Sequence, residues 1–157
     1  MPAGFTFLEL VCVVAVLLIL LAVALPRFQG TFQRLQTEQL AFEMAQLFRY
    51  AQAEAVMRRQ TIACTFYPET STFRLSAEVG DQRLPLEERL GKIGPLPARV
   101  HTEIRHGEEA SDGVRFFPNG GSEAVVVVLH DESGNVYRIT IDEATGHAAV
   151  LSGVAAH

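Results

Sequence analysis

From Leu10 to Leu25 the chain carries no charged or strongly polar side chain, and Phe5–Leu8 extends the apolar stretch forward across a single acid, Glu9. At 1.5 Å per residue, a helix over these positions reaches about 30 Å, the thickness of a bilayer's hydrocarbon core. After Pro26 the pattern becomes amphipathic. Apolar residues recur at Phe28, Phe32, Leu35, Leu40, Met44, Leu47, Ala51 and Ala55, in steps mostly of three or four, which predicts one helical face. Gln33, Arg34, Gln36, Glu38, Gln46, Arg49 and Arg58 fall opposite. Phe5 to about Arg59 therefore predicts one helix on the order of 80 Å long. Pro26 and Gly30 should bend or loosen it, and Phe28 and Phe32 are read as packing residues.

From Thr61 the period falls to two. The alternation predicts strands over Thr61–Phe66, Ser71–Glu78, Arg99–Ile104, Gly113–Phe117, Glu123–His130, Asn135–Ile141 and His147–Leu151. The β-branched run Val125–Leu129 suits a central strand. Asp131–Asn135 and Asp142–Gly146 read as hairpin turns. Gly80–Asp112 is rich in Pro, Gly and scattered charge and is expected to be an irregular surface excursion. A long helix followed by successive hairpins predicts an α+β domain with a largely antiparallel sheet.

Composition adds limits. With 157 residues, 48% of them hydrophobic, the chain can build one domain with a core. A net charge of −5 argues against an electrostatic grip on nucleic acid or anionic lipid. Of the two cysteines, Cys12 lies in the apolar helix and Cys64 beyond its end. A continuous helix would hold them tens of ångströms apart, whereas a disulfide needs Cα atoms within about 7 Å, so both are expected to be free thiols.

A carboxylate in hydrocarbon costs about 2.5–3.5 kcal/mol, which makes Glu9 the residue to explain. A cleaved secretory signal, with Ala22-Val23-Ala24 as its cleavage site, lacks a basic n-region and leaves Glu9 without a purpose. A plain membrane anchor does the same. Gly4-Phe5-Thr6-Phe7-Leu8-Glu9, followed by an apolar run to Pro26, resembles the class III signal of type IV pilins and type II secretion pseudopilins. The resemblance implies that a prepilin peptidase cuts after Gly4 and methylates the new N-terminus at Phe5. It implies that Glu9 meets the N-terminal amine of a neighbouring subunit and sets register in a filament, and that Pro26 is the helix-kinking proline. Arg27 and Arg34 follow the span, and taken alone that bias would leave the C-terminal part in the cytoplasm; the processing motif implies the opposite.

Phe117-Pro118-Asn119-Gly120 and Thr145-Gly146 are similar to an aromatic-Pro-x-Gly turn and a late Thr-Gly hairpin in the pseudopilin H and FimT-like branch. The expected organisation is a leader at 1–4, a membrane or filament-core helix at 5–25, an amphipathic helix at 26–60 and a periplasmic β-rich domain at 61–157. The resemblance implies a type IV pilin-like α+β fold, a single pass in the inner membrane, no cofactor and no catalysis. Expected partners are the prepilin peptidase and other major and minor pseudopilins, with no small-molecule substrate. The function the resemblance implies is that of a minor pseudopilin of a type II secretion system, assembling into the periplasmic pseudopilus near its tip to support protein secretion; the competing function is that of a FimT-like minor type IV pilin involved in DNA uptake or pilus biogenesis. Arg99 and Arg105 could form a small basic patch for it, but Glu103, Glu108 and Glu109 offset them, and no Arg or Lys follows Arg138.

Other constellations are weak. His101 and Glu103 would share a strand face while His106 points away, so a metal site is not expected. Asp131-x-Ser133-Gly134-Asn135 has its glycine misplaced for a calcium loop and reads as a turn. Gly120-Gly121-Ser122 lacks the context of a nucleophile elbow.

Overall fold

A computed structural model describes residues 6–86 and 91–154, with side chains apart from those of 23–33 and 154. One helix, α1, runs from Phe7 to Arg58. Its 52 residues correspond to about 78 Å at 1.5 Å per residue. Thr6 caps its start, where the hydroxyl accepts the Glu9 N–H at 3.3 Å. At the other end Arg59 adopts the left-handed conformation at φ 53°, its N–H donating to the Val56 carbonyl and that of Gln60 to the Ala55 carbonyl. This is a Schellman closure with an arginine where glycine is usual. The period-two region then begins at once.

Among the described residues ten strands follow: β1 (Thr61–Tyr67), β2 (Thr72–Val79), β3 (Gln82–Pro85), β4 (Lys92–Ile93), β5 (Val100–His106), β6 (Glu109–Ala110), β7 (Gly113–Phe116), β8 (Val125–Asp131), β9 (Asn135–Ile141) and β10 (Ala148–Val154). They form two antiparallel sheets where the sequence predicts one. The first runs β3-β2-β1-β7, with β4 also paired to β2; the second runs β10-β9-β8-β5-β6. The chain leaves the first sheet after β4, builds β5 and β6, returns for β7 and crosses again to β8. Hairpin alternation predicts neighbours in sequence and carries no sign of the long-range β1–β7 and β5–β8 pairings.

The helix lies on both sheets. Leu40, Ala41, Met44, Ala45, Leu47, Phe48, Ala51 and Ala55 are buried against Ile62, Phe73, Phe116, Val127, Leu129 and Ile139. Phe48 and Phe116 bring helix and first sheet together with ring centroids 6.1 Å apart. Leu35 is a correction, since it is 57% exposed and Thr37 takes the buried place. The expected roles of Phe28 and Phe32 lie outside the described side chains.

The 80–112 segment is more regular than its composition implies, because β3 and β4 extend the first sheet and β5 and β6 the second. Val125, Val127 and Leu129 are buried and β8 is the middle strand of its sheet, but Val126 and Val128 are only half-buried.

Candidate functional site

Two features of α1 stand out. The first is its N-terminal part. Phe7 is 83% exposed, and every large aliphatic side chain from Leu8 to Leu21 is exposed by roughly half or more. Glu9 lies on this surface one turn inside the helix, next to the Thr6 cap. Gly4 and Phe5 lie outside the described residues, as does the side chain of Pro26, although the helix runs through position 26 without a break. Among the described residues no helix is long and apolar enough to cross a membrane.

The second feature is the joint that fixes the other end of α1 to the domain. Gln52 sits half-buried one turn beyond Phe48. Its Nε2 donates to the Gly120 carbonyl at 2.9 Å and to the Thr145 carbonyl. Each carbonyl belongs to a different loop. Phe117–Gly121 is a tight turn in which the Gly120 N–H donates to the Phe117 carbonyl at 3.0 Å and the Gly121 N–H to Asn119 Oδ1 at 3.1 Å. In the second loop Asp142 Oδ1 accepts the Thr145 N–H at 2.9 Å and the Thr145 hydroxyl at 2.7 Å. That hydroxyl, followed by the Thr145 amide, holds the Asp142 carboxyl below its ordinary value.

Glycine is required where the loops meet. Gly146 has φ 63°, and a Cβ there would lie 2.7 Å from the Gly120 carbonyl and 2.9 Å from Gln52 Nε2. Ser122 ties the loops together again, its N–H donating to the Glu143 carbonyl at 2.9 Å and its hydroxyl to the Asp142 carbonyl at 3.2 Å. The two short motifs quoted from the sequence thus converge on one helix side chain. Gln52 itself escaped the sequence reading. Its signal was a polar residue between Phe48 and Ala55 on an otherwise apolar face.

The remaining candidates separate. β5 is paired along its length with β8, and β6 covers its other side only at Arg105 and His106, so His101 and Glu103 are exposed on an edge stretch of the strand and His106 is exposed beside β6. Among the described residues no group of His, Cys, Asp and Glu is placed to hold a metal. Asp131 closes a turn, with Oδ1 accepting the Ser133 and Asn135 N–H groups at 2.8 and 3.0 Å. Arg105 pairs with Glu103 at 3.4 Å, while Arg99 is half-buried beside a groove of about 560 Å³ with Leu40, Glu43 and Pro97. The two arginines do not form a shared patch. Arg115 is held by Glu123 at 2.6 Å, which raises its guanidinium further above the usual value.

A model of the family described as "Type II transport protein GspH" matches residues 40–145. By structure the chain is similar to the minor pseudopilin EPSH from the type II secretion system of Vibrio cholerae, with 12% identity, a TM-score of 0.61 and coverage of 78% of this chain and 97% of that one. It is similar to GspH of E. coli, with 11% identity, a TM-score of 0.56 and coverage of 76% and 89%. It is also similar to the type IV minor pilin FimU of Pseudomonas aeruginosa, with 16% identity, a TM-score of 0.56 and coverage of 77% and 90%. At such identities these likenesses establish the fold, a pilin-like α+β fold with antiparallel sheets. A comparison with curated proteins found no match.

Proposed function

The chain belongs to the GspH family of type II transport proteins, and on that premise we propose that it is a minor pseudopilin of a type II secretion system, a filament subunit that works by assembly. One observation carries the reading. A single helix buries its second half in the β domain and leaves residues 7–21 apolar and exposed, so its own chain does not cover it. Such a surface needs lipid or other helices.

Before assembly, residues 5–25 span the inner membrane and the domain faces the periplasm. Prepilin peptidase cuts between Gly4 and Phe5 and methylates Phe5. The ammonium group freed on one subunit then meets Glu9 of the next. An acid that costs energy in hydrocarbon becomes a register-setting group once its charge is paired and hydrogen-bonded. Pro26 lets the helix bend where it leaves the membrane. Other pseudopilins are the partners. Solved pseudopilins and a type IV pilin share this fold, so the fold does not divide secretion from DNA uptake; the family match favours secretion.

Mass spectrometry of membrane-extracted protein tests the reading: the expected N-terminus is methylated Phe5, and a start at Leu25 would overturn it. Glu9→Ala is expected to insert in the membrane normally and to lose filament incorporation and secretion. A clear salt-sensitive gel shift with DNA would favour the transformation pilin instead.

A further inference from the structure

Sheet edges invite added strands unless they are short, charged, broken by proline or covered. Among the described residues the first sheet ends on β3, which closes in Pro85, and on the short β7; the second ends on one side on the two-residue β6 and the stretch of β5 that β6 leaves uncovered, which carries His101 and Glu103, and on the other on β10. β10 is different. It pairs with β9 along its whole length, Ala148–Val154, and contains neither charge nor proline.

The register shows which of its backbone groups are free. The Asp142 N–H donates to the His147 carbonyl at 3.1 Å, so hydrogen-bonded pairs with β9 recur at Ala149, Leu151 and Gly153. Ala148, Val150 and Ser152 turn their N–H and C=O groups outward. Arg49 Nη2 takes the Ala148 carbonyl at 3.3 Å, which agrees with that direction. Among the described residues, the outward groups of Val150 and Ser152 have no partner.

What flanks this edge selects its occupant. Ser152 is paired with Tyr137, whose hydroxyl donates to the Arg34 carbonyl at 3.5 Å, so β10 runs back along α1 from Arg49 toward Arg34. Phe42, seven residues before Arg49 and so on the same helix stripe, is 50% exposed, and Leu151 on the strand itself is 59% exposed. Arg49, on the Ala148 carbonyl, and Arg138, directly across from Leu151, bring positive charge to the strand in a chain whose net charge is −5. A second copy would set these arginines against themselves.

We propose that the β10 edge receives an extended, acidic segment of a neighbouring, non-identical subunit, which adds a strand to the second sheet. Backbone pairing supplies affinity, while Phe42, Leu151 and the arginines select side chains. The proposal rests on the assembly reading above and names a contact within it.

The test uses the full-length chain in a secreting strain that lacks its own copy. Ser152→Pro removes an outward N–H and leaves every bond to β9 in place. It is expected to melt at the wild-type temperature and to secrete at the level of the gene deletion, whereas Ser152→Ala secretes normally. Arg138→Glu changes an exposed side chain on β9 and leaves the backbone pairing with β10 in place, and it is expected to weaken secretion through repulsion of the acidic segment. A photo-cross-linking residue at position 152 should give an adduct with another filament subunit, mapped to an extended acidic stretch and lost in Arg138→Glu. Normal secretion by Ser152→Pro or Arg138→Glu would overturn the proposal, as would an adduct between two copies of this chain. Glu9→Ala is run beside them: its failure to secrete with normal Ser152→Pro leaves the assembly reading standing, and normal secretion in all of them removes both.

Discussion

The two halves of α1 both present apolar side chains and have opposite environments. Between Leu40 and Ala55 one apolar stripe is buried by two sheets, while Phe42, Glu43, Gln46 and Arg49 are exposed on the other side. Between Phe7 and Leu21 the helix is apolar all round apart from Glu9, and exposed all round. A helix that is hydrophobic on every face is suited to a membrane or a bundle, and one with a stripe is suited to a single domain face. Burial of the second half is therefore a property of this chain alone, and burial of the first is a property of its surroundings.

The contrast can be broken from either side. Phe48 is fully buried, so Phe48→Ala should cost about 3–5 kcal/mol, read as a fall in the denaturation midpoint of the full-length protein in detergent. Leu17→Ala, in the exposed half, should leave that midpoint within about 0.5 kcal/mol of wild type. If Leu17→Ala proved as damaging, the first half would be packed by its own chain. Gln52→Ala should cost about 1–3 kcal/mol, because two loop carbonyls lose their shared donor, and amide exchange should rise in both loops.

A smaller effect comes from Asp142. Its carboxyl titrates lower folded than unfolded, so its contribution is complete above the ordinary carboxylate value of about 4 and is lost as pH falls through the depressed one. Wild type should therefore out-melt Asp142→Asn at neutral pH, and the difference should shrink in acid. Smallest of all, Arg59→Gly relieves a left-handed arginine and is expected to add up to about 1 kcal/mol, read in the same melts.

Much of this was legible in residue order because helix and strand periods are local. The helix ends within a residue or two of its expected limits, and Asn135–Ile141 is a strand over its expected span. Leu35 shows where local reading fails: it fits the stripe, but the domain begins to cover the helix only near Thr37. The split into two sheets depends on β5 and β7, whose partners lie far along the chain. Phe117–Gly120 and Thr145–Gly146 could be quoted as turns, yet their shared purpose appears only once Gln52 is seen between them. Gly4, Phe5 and the side chain of Pro26 lie outside the described residues, so their roles stay with the proposal.

The burial of Cys64 has a consequence for how the protein meets oxidants. Its side chain is fully enclosed and desolvation pushes its thiol upward, so the reactive thiolate is suppressed while the fold is intact. Oxidising enzymes and alkylating reagents can reach it only through molecules that have come apart. The rate at which Cys64 becomes labelled is thus a clock for opening of the first sheet.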